Sequence, residues 1–215
     1  MKRILIVSGG WEGHSPQQMS QFFAGLLRDR GFEVKQLDSL EIFADLPTLK
    51  TFDLIIPNWT MGTLTGDQEW RLAEAVASGV GLGGWHGGMG DAFRSNTTYQ
   101  FMTGGQFVAH PDNEKDYTVH IVKSSDPIMK GLSDFQVRSE QYFMHIDPSN
   151  EVLATTTFET KEAPQINGTV IPVVWKRRWG TGKVFYSSLG HNIELFHQTP
   201  EAKEIQLRGL EWACR

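Results

Sequence analysis

The sequence predicts an α/β fold in which a doubly wound, mostly parallel sheet carries an antiparallel extension in its second half. From Arg3 to Trp85, short apolar runs alternate with amphipathic helical segments, an order typical of parallel sheets. From Tyr117 onward, strand-like runs follow one another with few helices between them. No stretch rich in proline, serine or charge separates the two halves, so we predict one domain over residues 1–215.

The first two strands enclose one amphipathic helix. Arg3–Ser8 is a β-branched apolar run that ends in two glycines, which suits a strand covered on both faces. Pro16–Arg30 carries apolar residues at helical spacing, with Ser15 as the predicted N-cap and Gly31 as the stop signal. Phe32–Leu37 alternates as a second strand does.

The next three elements complete the parallel half. Asp53–Pro57 is a third apolar strand. Asp67–Ser78 has the pattern of a second full helix, with Thr65 or Gly66 near its start. Val80–Trp85 follows as the fourth strand and leads directly into a glycine-rich turn.

The second half is predicted to be mainly strands, followed by one helix. The predicted strands are Tyr117–Val122, Phe135–Ile146, Glu151–Thr157, Thr169–Trp175 and Gly182–Ser188. Gly180-Thr181-Gly182 has the composition of a hairpin turn between the last two strands. Pro200–Cys214 carries apolar residues at helical spacing and closes the fold.

Composition limits the class of partner and the compartment. A net charge of −5 argues against nucleic-acid binding, which favours a basic face. No apolar run approaches the roughly 18 residues that span a bilayer, and the N-terminal apolar run is too short for a signal peptide. Cys214 is the only cysteine and cannot form an intrachain disulfide. We therefore predict a cytoplasmic protein with a small-molecule partner, and a homo-oligomer on base rates alone.

The glycine-rich turn Gly81–Gly90 is the main indication of function. A strand that turns sharply into a helix needs glycine where a Cβ would clash with nearby parts of the chain. Enzymes use such turns to expose one side chain at the sheet edge. His86 stands at the apex, where a hydrolase carries serine and an amidotransferase carries cysteine. A neutral imidazole serves as acid, base or metal ligand. The alternative is that the glycines serve packing and His86 bonds a backbone carbonyl.

Three histidines fall in loops at the carboxyl edge of the predicted sheet, where ligands bind in such folds. They are His14, His86 and His191. Glu140 interrupts an apolar strand. Its side chain either faces solvent, as every second residue of a half-buried strand does, or is a partner for a histidine or a metal. We expect His86, His191 and Glu140 to be catalytic. Together with His14 they form a ligand set for a divalent metal such as zinc, although no short ligand spacing marks such a site.

Residues around these loops are expected to contact a substrate. The predicted substrate-binding residues are Gly10, Trp11, His14, Trp59, Trp85 and Gly87. The three tryptophans suit stacking on a sugar ring, while core packing or a lid contact is the alternative. His110 and His145 are expected on a loop or strand surface.

Several motifs together carry a family resemblance over nearly the whole chain. They are Gly9-Gly10 with the His14 loop, Gly84-Trp85-His86-Gly87-Gly88, Glu140-x-Tyr142, and the block from Pro172-Val173-Val174-Trp175 through Gly180-x-Gly182-Lys183-Val184-Phe185-Tyr186 to Leu189-Gly190-His191. On these motifs the chain resembles the ThuA-like (trehalose utilisation) family. The resemblance implies a three-layer, flavodoxin-like fold of the class I glutamine amidotransferase type.

The resemblance also implies that amidotransferase chemistry is lost. His86 occupies the position of the amidotransferase cysteine, and His191 resembles the triad histidine. The triad carboxylate is expected two residues later, where Ile193 stands, and Glu194 comes one position further on. The resemblance instead implies a role in carbohydrate metabolism, on trehalose or a related keto-sugar handled beside a sugar dehydrogenase.

Two functions from different classes remain open at this point. The first is an enzyme (a hydrolase, lyase or isomerase) that acts on a sugar derivative with a His-centred site and a divalent metal. The second is a non-catalytic sugar-binding or regulatory protein, because a fold does not carry function by itself. Metal content distinguishes the two, since a pure binding module has no need of a reactive ion.

Overall fold

The computed structural model describes residues 1–215, which form eleven strands and seven α-helices. The strands are β1 Arg3–Gly10, β2 Glu33–Leu37, β3 Leu54–Thr60, β4 Gly81–Trp85, β5 Gly105–Ala109, β6 Glu114–Ile121, β7 Phe135–Glu140, β8 Phe143–Ile146, β9 Glu151–Thr157, β10 Val170–Trp179 and β11 Gly182–Ser187. The helices are α1 Pro16–Asp29, α2 Leu46–Leu49, α3 Gly66–Ala77, α4 His86–Gly90, α5 Thr97–Thr103, α6 Ile193–Gln198 and α7 Pro200–Ala213. None of the helices combines the length and the apolarity that crossing a bilayer requires.

Nine strands form one sheet in the order β2-β1-β3-β4-β11-β10-β9-β6-β7. The strands from β2 to β11 pair in parallel, and those from β11 to β7 pair antiparallel. The parallel sheet with an antiparallel extension is therefore confirmed. The predicted hairpin is also present, since Trp179 pairs with Gly182 across a two-residue turn.

The side chains of β1 show why the sheet needs helices on both faces. Successive strand residues point to opposite faces. Ile4 and Ile6 belong to the core formed with α1 and α7, whereas Leu5 and Val7 belong to the core formed with α3. Each large apolar side chain buried in this way contributes about 1.5–3 kcal/mol. The three-layer arrangement follows from this alternation.

Local signals place the starts of the two long helices of the first half. Ser15 is the N-cap residue of α1, but its side chain makes no capping hydrogen bond, and its φ is +46°. Thr65 caps α3 with a capping box, in which its hydroxyl accepts from the backbone N–H of Gln68 and the Gln68 side chain accepts from the Thr65 N–H. The predicted start of α3 is confirmed.

Replacing Thr65 by alanine should lower the free energy of unfolding by about 1 kcal/mol, because one helix N–H loses its acceptor. Chemical denaturation measures this difference. The control is Thr63→Ala, at an exposed position just before the helix. Equal effects of the two substitutions would contradict a capping role for Thr65.

Two parallel strands run further than the sequence predicts. β3 continues past Pro57, and β1 continues past Ser8, because the two strands pair as far as Gly10 and Thr60. Asn58 and Gly10, which lie beyond the predicted ends of the two strands, are therefore ladder residues.

The predicted strand Phe135–Ile146 is wrong as a single element. It divides into β7 and β8, and β8 pairs with β5 in a separate two-stranded sheet that the sequence does not predict. Between them, the buried amide of Gln141 donates to Oγ1 of Thr156 at 2.7 Å and to the carbonyl of Thr157 at 3.1 Å. These bonds hold the chain where the strand ends, and they leave Glu140 as the last residue of β7.

Candidate functional site

Three imidazoles converge on a single carboxylate oxygen, Oε2 of Glu140. This oxygen lies 3.0 Å from Nε2 of His86, 3.3 Å from Nδ1 of His191 and 3.9 Å from Nε2 of His14. The metal-ligating atoms of the four residues all lie within 4.8 Å of one another. The structure thus brings together the four residues that the sequence nominates as a ligand set.

The elements that supply these residues come from both halves of the chain. His14 ends a short 3₁₀ turn after β1, His86 begins α4 directly after β4, and His191 lies in the loop between β11 and α6. All three follow parallel strands, whose carboxyl ends share one sheet edge. Glu140 ends β7, which is the outermost antiparallel strand. The antiparallel half must therefore curve back to bring this carboxylate to the three imidazoles.

His86 is held in a strained and fully buried position. Its φ is +42°, in the left-handed region that side-chain-bearing residues rarely adopt. Tyr186 donates its hydroxyl proton to the His86 carbonyl at 3.0 Å, and the Tyr142 ring stacks on the imidazole with centroids 4.0 Å apart. Strained residues of this kind cluster at functional sites.

The hydrogen bonds of His86 determine which ring nitrogen carries the proton. Nδ1 lies 2.8 Å from the carbonyl oxygen of Ser188, which only accepts, so Nδ1–H is the donor. Burial lowers the pKa of His86, although contacts with Glu140 act in the opposite direction. In the neutral imidazole, Nε2 then presents a lone pair to Oε2 of Glu140. Two acceptors face each other at 3.0 Å, an arrangement that needs a cation or proton between them.

The other two histidines repeat this pattern. Nδ1 of His14 lies 2.8 Å from the hydroxyl of Thr60, and Nε2 of His191 lies 3.4 Å from a carboxylate oxygen of Glu114. Burial lowers the pKa of His14 to about 3, whereas the contact with Glu140 raises the pKa of His191. Each imidazole directs one nitrogen to Oε2 and the other to an outer acceptor. Metal-bound histidines show this arrangement.

Glu140 is an ionised carboxylate in a largely buried setting. Burial alone would raise its pKa, but the interactions with His191 and His86 outweigh it and hold the pKa well below the usual range. The basic side chains within ion-pair distance of Glu140 are all histidines, with no lysine or arginine among them. A carboxylate among mainly neutral imidazoles gives the site a negative charge, which favours a bound cation.

The donor set fits a divalent ion. Three nitrogens and one oxygen suit zinc, and bonds of 2.0–2.1 Å to a tetrahedral ion place its ligands about 3.3 Å apart. The distances from Oε2 to the three nitrogens, 3.0–3.9 Å, bracket this separation.

Two of the predicted substrate-binding residues are glycines that allow close approach. Gly10 has a φ of +81°, and a Cβ there would overlap the carbonyl oxygen of Thr60. A Cβ on Gly87 would lie 2.5 Å from Cε1 of His14 and 3.1 Å from the Tyr142 hydroxyl. Both glycines therefore shape the loops that carry the histidines.

The three tryptophans predicted to bind substrate have different surroundings. Trp11 is 48% exposed at the rim, and its ring contacts His14 edge to face with centroids 4.8 Å apart. Trp59 is partly buried and packs against Gly9 and Gly62. Trp85 is only 2% exposed and packs on Phe23 in the core. The structure thus gives Trp85 a core position, which is the packing alternative that the sequence left open.

Three residues of the site are not among those predicted from the sequence. Tyr142 stacks on His86, Glu114 contacts His191, and His110 places Nε2 3.7 Å from Oε1 of Glu140. The spacing Glu140-x-Tyr142 is a signal for Tyr142, since alternate residues of an extended chain share a face. The sequence predicts only a surface position for His110, which follows β5, a strand that the sequence does not predict.

The groups of an amidotransferase triad do not meet here. Glu194 is exposed and accepts a hydrogen bond from Gln198 rather than contacting His191. Cys214 follows α7 beside the N-terminal end of β4, at the edge opposite His86. Burial raises the pKa of the Cys214 thiol to about 11.

Solved structures share the fold. A ThuA-like protein from Parabacteroides merdae ATCC 43184 matches with a TM-score of 0.78 at 18% identity, over 99% of this chain and 89% of that chain. A cytoplasmic protein of Salmonella typhimurium LT2 matches with a TM-score of 0.68 at 14% identity, over 99% of this chain and 100% of that one. The β-galactosidase of Bacillus circulans sp. alkalophilus matches with a TM-score of 0.56 at 14% identity, over 97% of this chain and 31% of the enzyme. Identities this low establish the fold alone.

A search of curated protein sequences finds no match to the chain. The family model ThuA, described as trehalose utilisation, matches residues 3–213. On this match, which extends through both halves of the sheet and all four residues of the site, the chain belongs to the ThuA family.

Proposed function

We propose that the protein is a divalent-metal-dependent enzyme that acts on trehalose or a related keto-sugar. The observation that carries the proposal is the convergence of three imidazole nitrogens on Oε2 of Glu140, each ring having an outer acceptor at its other nitrogen. The family description, trehalose utilisation, supports the sugar.

A proton alone does not account for this arrangement. One proton between His86 and Glu140 would satisfy one pair of acceptors, while His14 and His191 direct further nitrogens to the same oxygen. A divalent ion satisfies all four ligand atoms at once. The cost of holding the Glu140 charge away from water is then offset by coordination.

When bound, such an ion supplies a Lewis acid that polarises a sugar carbonyl or activates a water molecule. His14, His86, His191 and Glu140 would hold it, and Tyr142 fixes the His86 ring by stacking. The exposed ring of Trp11 at the rim suits contact with the apolar face of a sugar. Hydrolase, lyase and isomerase chemistry all begin from such a site.

The strained backbone φ of His86 favours an enzyme over a non-catalytic sugar-binding protein. A left-handed φ at a non-glycine residue costs on the order of 1–3 kcal/mol, and such strain persists where the surroundings impose it. A protein that only binds sugars has no need to hold an imidazole in this way against a carboxylate.

Metal content tests the proposal. Purified protein should retain about one equivalent of a divalent ion by elemental analysis, since structural and catalytic zinc sites bind one ion with ligands of this kind. His86→Ala should lose the ion and any sugar turnover while the fold survives. His145→Ala is the matched control, because His145 is exposed and outside the site. A metal-free protein that cannot be loaded, or a His86→Ala variant with normal metal content, would overturn the proposal.

Gly87→Ala should weaken metal binding without unfolding the protein. The added Cβ would meet Cε1 of His14 and push this ring away from Oε2 of Glu140. Displacing a ligand ring is expected to cost about 10–100-fold in metal affinity, as loss of ligand orientation does. Competition with a chromophoric chelator measures the affinity. Gly25→Ala on α1, where a Cβ meets open space, is the control.

We also infer a cytoplasmic setting beside a sugar dehydrogenase that would supply the keto-sugar. The single buried cysteine fits a reducing compartment. The test is to grow a strain that lacks the gene for this protein on trehalose and to measure the keto-sugars that accumulate.

A further inference from the structure

A pocket of about 420 Å³ opens beside the site and shares a residue with it. Residues 107–111 line one side, and His110 is the lining residue that reaches towards the four converging groups. Glu162 is the only charged side chain in the lining. No cation is present there to attract a phosphate or carboxylate, so the pocket suits an uncharged ligand.

His110 stands on the opposite side of Glu140 from the other histidines. Its Nε2 lies 3.7 Å from Oε1, whereas the other three imidazoles approach Oε2. It is also outside the group of residues whose ligand atoms all lie within 4.8 Å of one another. His110 therefore lies between the candidate metal centre and the pocket, without belonging to the ligand set.

The His110 imidazole packs beside the rings of Phe107 and Tyr142, but neither of its nitrogens has a hydrogen-bond partner within the chain. Its Nδ1 is buried without a partner, and its Nε2 is too far from Glu140 for a normal hydrogen bond. The side chain is nevertheless 33% exposed and lines the pocket, so a ligand there can reach its exposed part rather than the buried Nδ1.

The loop that carries His110 is fixed in a strained conformation. Asp112 and Asn113 have φ values of +66° and +52°. The Asp112 carboxylate accepts from the backbone N–H groups of Lys161 and Glu162, each at 3.2 Å, and its own N–H donates to the Glu162 side chain at 2.9 Å. These bonds tie the loop to a neighbouring segment, and they hold His110 at the mouth of the pocket.

One aromatic wall continues from the pocket to the metal centre. The Phe107 ring, which lines the pocket, packs on Tyr142 with centroids 4.4 Å apart. Tyr142 in turn stacks on His86 at 4.0 Å. Aromatic faces of this kind contact the apolar faces of sugar rings. A sugar placed against Phe107 would have His110 beside it, and Tyr142 would lie between Phe107 and His86.

We propose that His110 is a substrate-binding residue, and that it donates a hydrogen bond to an oxygen of an uncharged sugar lying in the pocket against Phe107. This role deepens the proposed function and rests on it, because the sugar's reacting end would face the metal centre. His110 fixes the register of the sugar and holds no metal.

Sugar titrations of the metal-loaded protein test this role, with trehalose, sucrose and glucose as probes. For the sugar that binds best, His110→Ala should raise the Kd about tenfold, the loss expected for one hydrogen bond worth about 1.4 kcal/mol. His110→Gln, which keeps an N–H donor near the position of Nε2, should recover part of the affinity. His145→Ala is the control for loss of a histidine elsewhere.

Elemental analysis of each variant separates this proposal from the metal proposal. His110→Ala should keep the metal content of the wild-type protein, and loss of the ion would make His110 a ligand and overturn the assignment. Unchanged sugar affinity in His110→Ala, or no binding of any of the three sugars by the wild type, would also overturn it. A wild-type protein that binds no metal would overturn the proposed function instead, and the same sugar titrations on the protein as purified would still decide on His110.

Discussion

Replacing Trp85 with alanine is expected to lower the free energy of unfolding by about 3–5 kcal/mol, the cost typical of deleting a large buried aromatic side chain. Trp85 is 2% exposed and packs on Phe23 with ring centroids 4.3 Å apart. It is also the last residue of β4, so its loss leaves a cavity directly beneath the turn that carries His86. Denaturant unfolding with an unchanged m-value measures the effect.

Trp11 supplies the matched control, because both tryptophans are candidates for sugar stacking on sequence grounds. Trp11 is 48% exposed, so Trp11→Ala should change the free energy of unfolding by no more than about 0.5 kcal/mol. Trp85→Phe, which keeps an aromatic ring in the core, should retain most of the stability. If Trp85→Ala were as stable as Trp11→Ala, the core position of Trp85 would be wrong.

The parallel half of the fold could be predicted because its signals are local. β1 and β3 are contiguous apolar runs, and Thr65 and Gln68 form the capping box at the start of α3. The rule that parallel strands gather their carboxyl ends at one edge then brings His14, His86 and His191 together from chain order alone. The same rule does not say where a side chain points. It therefore cannot tell that Trp85 is buried in the core whereas Trp11 is exposed at the rim.

The antiparallel half depends on contacts between residues far apart in sequence. Glu140 ends β7, the outermost strand, yet its carboxylate lies 3.0 Å from His86, which follows β4 in the middle of the sheet. No local sequence pattern predicts a contact between strands so far apart. The break between β7 and β8 depends on hydrogen bonds from Gln141 to a neighbouring strand. His110 was missed for the same reason, since β5 gains its strand conformation by pairing with β8.

Glu140→Gln is expected to reduce the affinity for the divalent ion by roughly 10²–10³-fold. Structural zinc sites with four ligands bind with about 10–16 kcal/mol, so one ligand of four accounts for about 3–4 kcal/mol, which corresponds to this factor. Glutamine keeps the shape of Glu140 but removes the charge on which His14, His86 and His191 converge. Competition titrations with a chromophoric chelator at constant pH give the two affinities.

Glu114→Gln is the informative comparison, because Glu114 contacts the far nitrogen of His191 rather than the converging group. Outer partners of metal-bound histidines affect affinity by about 10–100-fold, and the partial exposure of Glu114 points to the lower end of that range. The expected order of metal affinity is therefore wild type, then Glu114→Gln, then Glu140→Gln. A site that merely buries an ion pair would instead show equal metal binding in all three proteins, and Glu140→Gln would then change only stability, because a charge that the histidines stabilise would be gone.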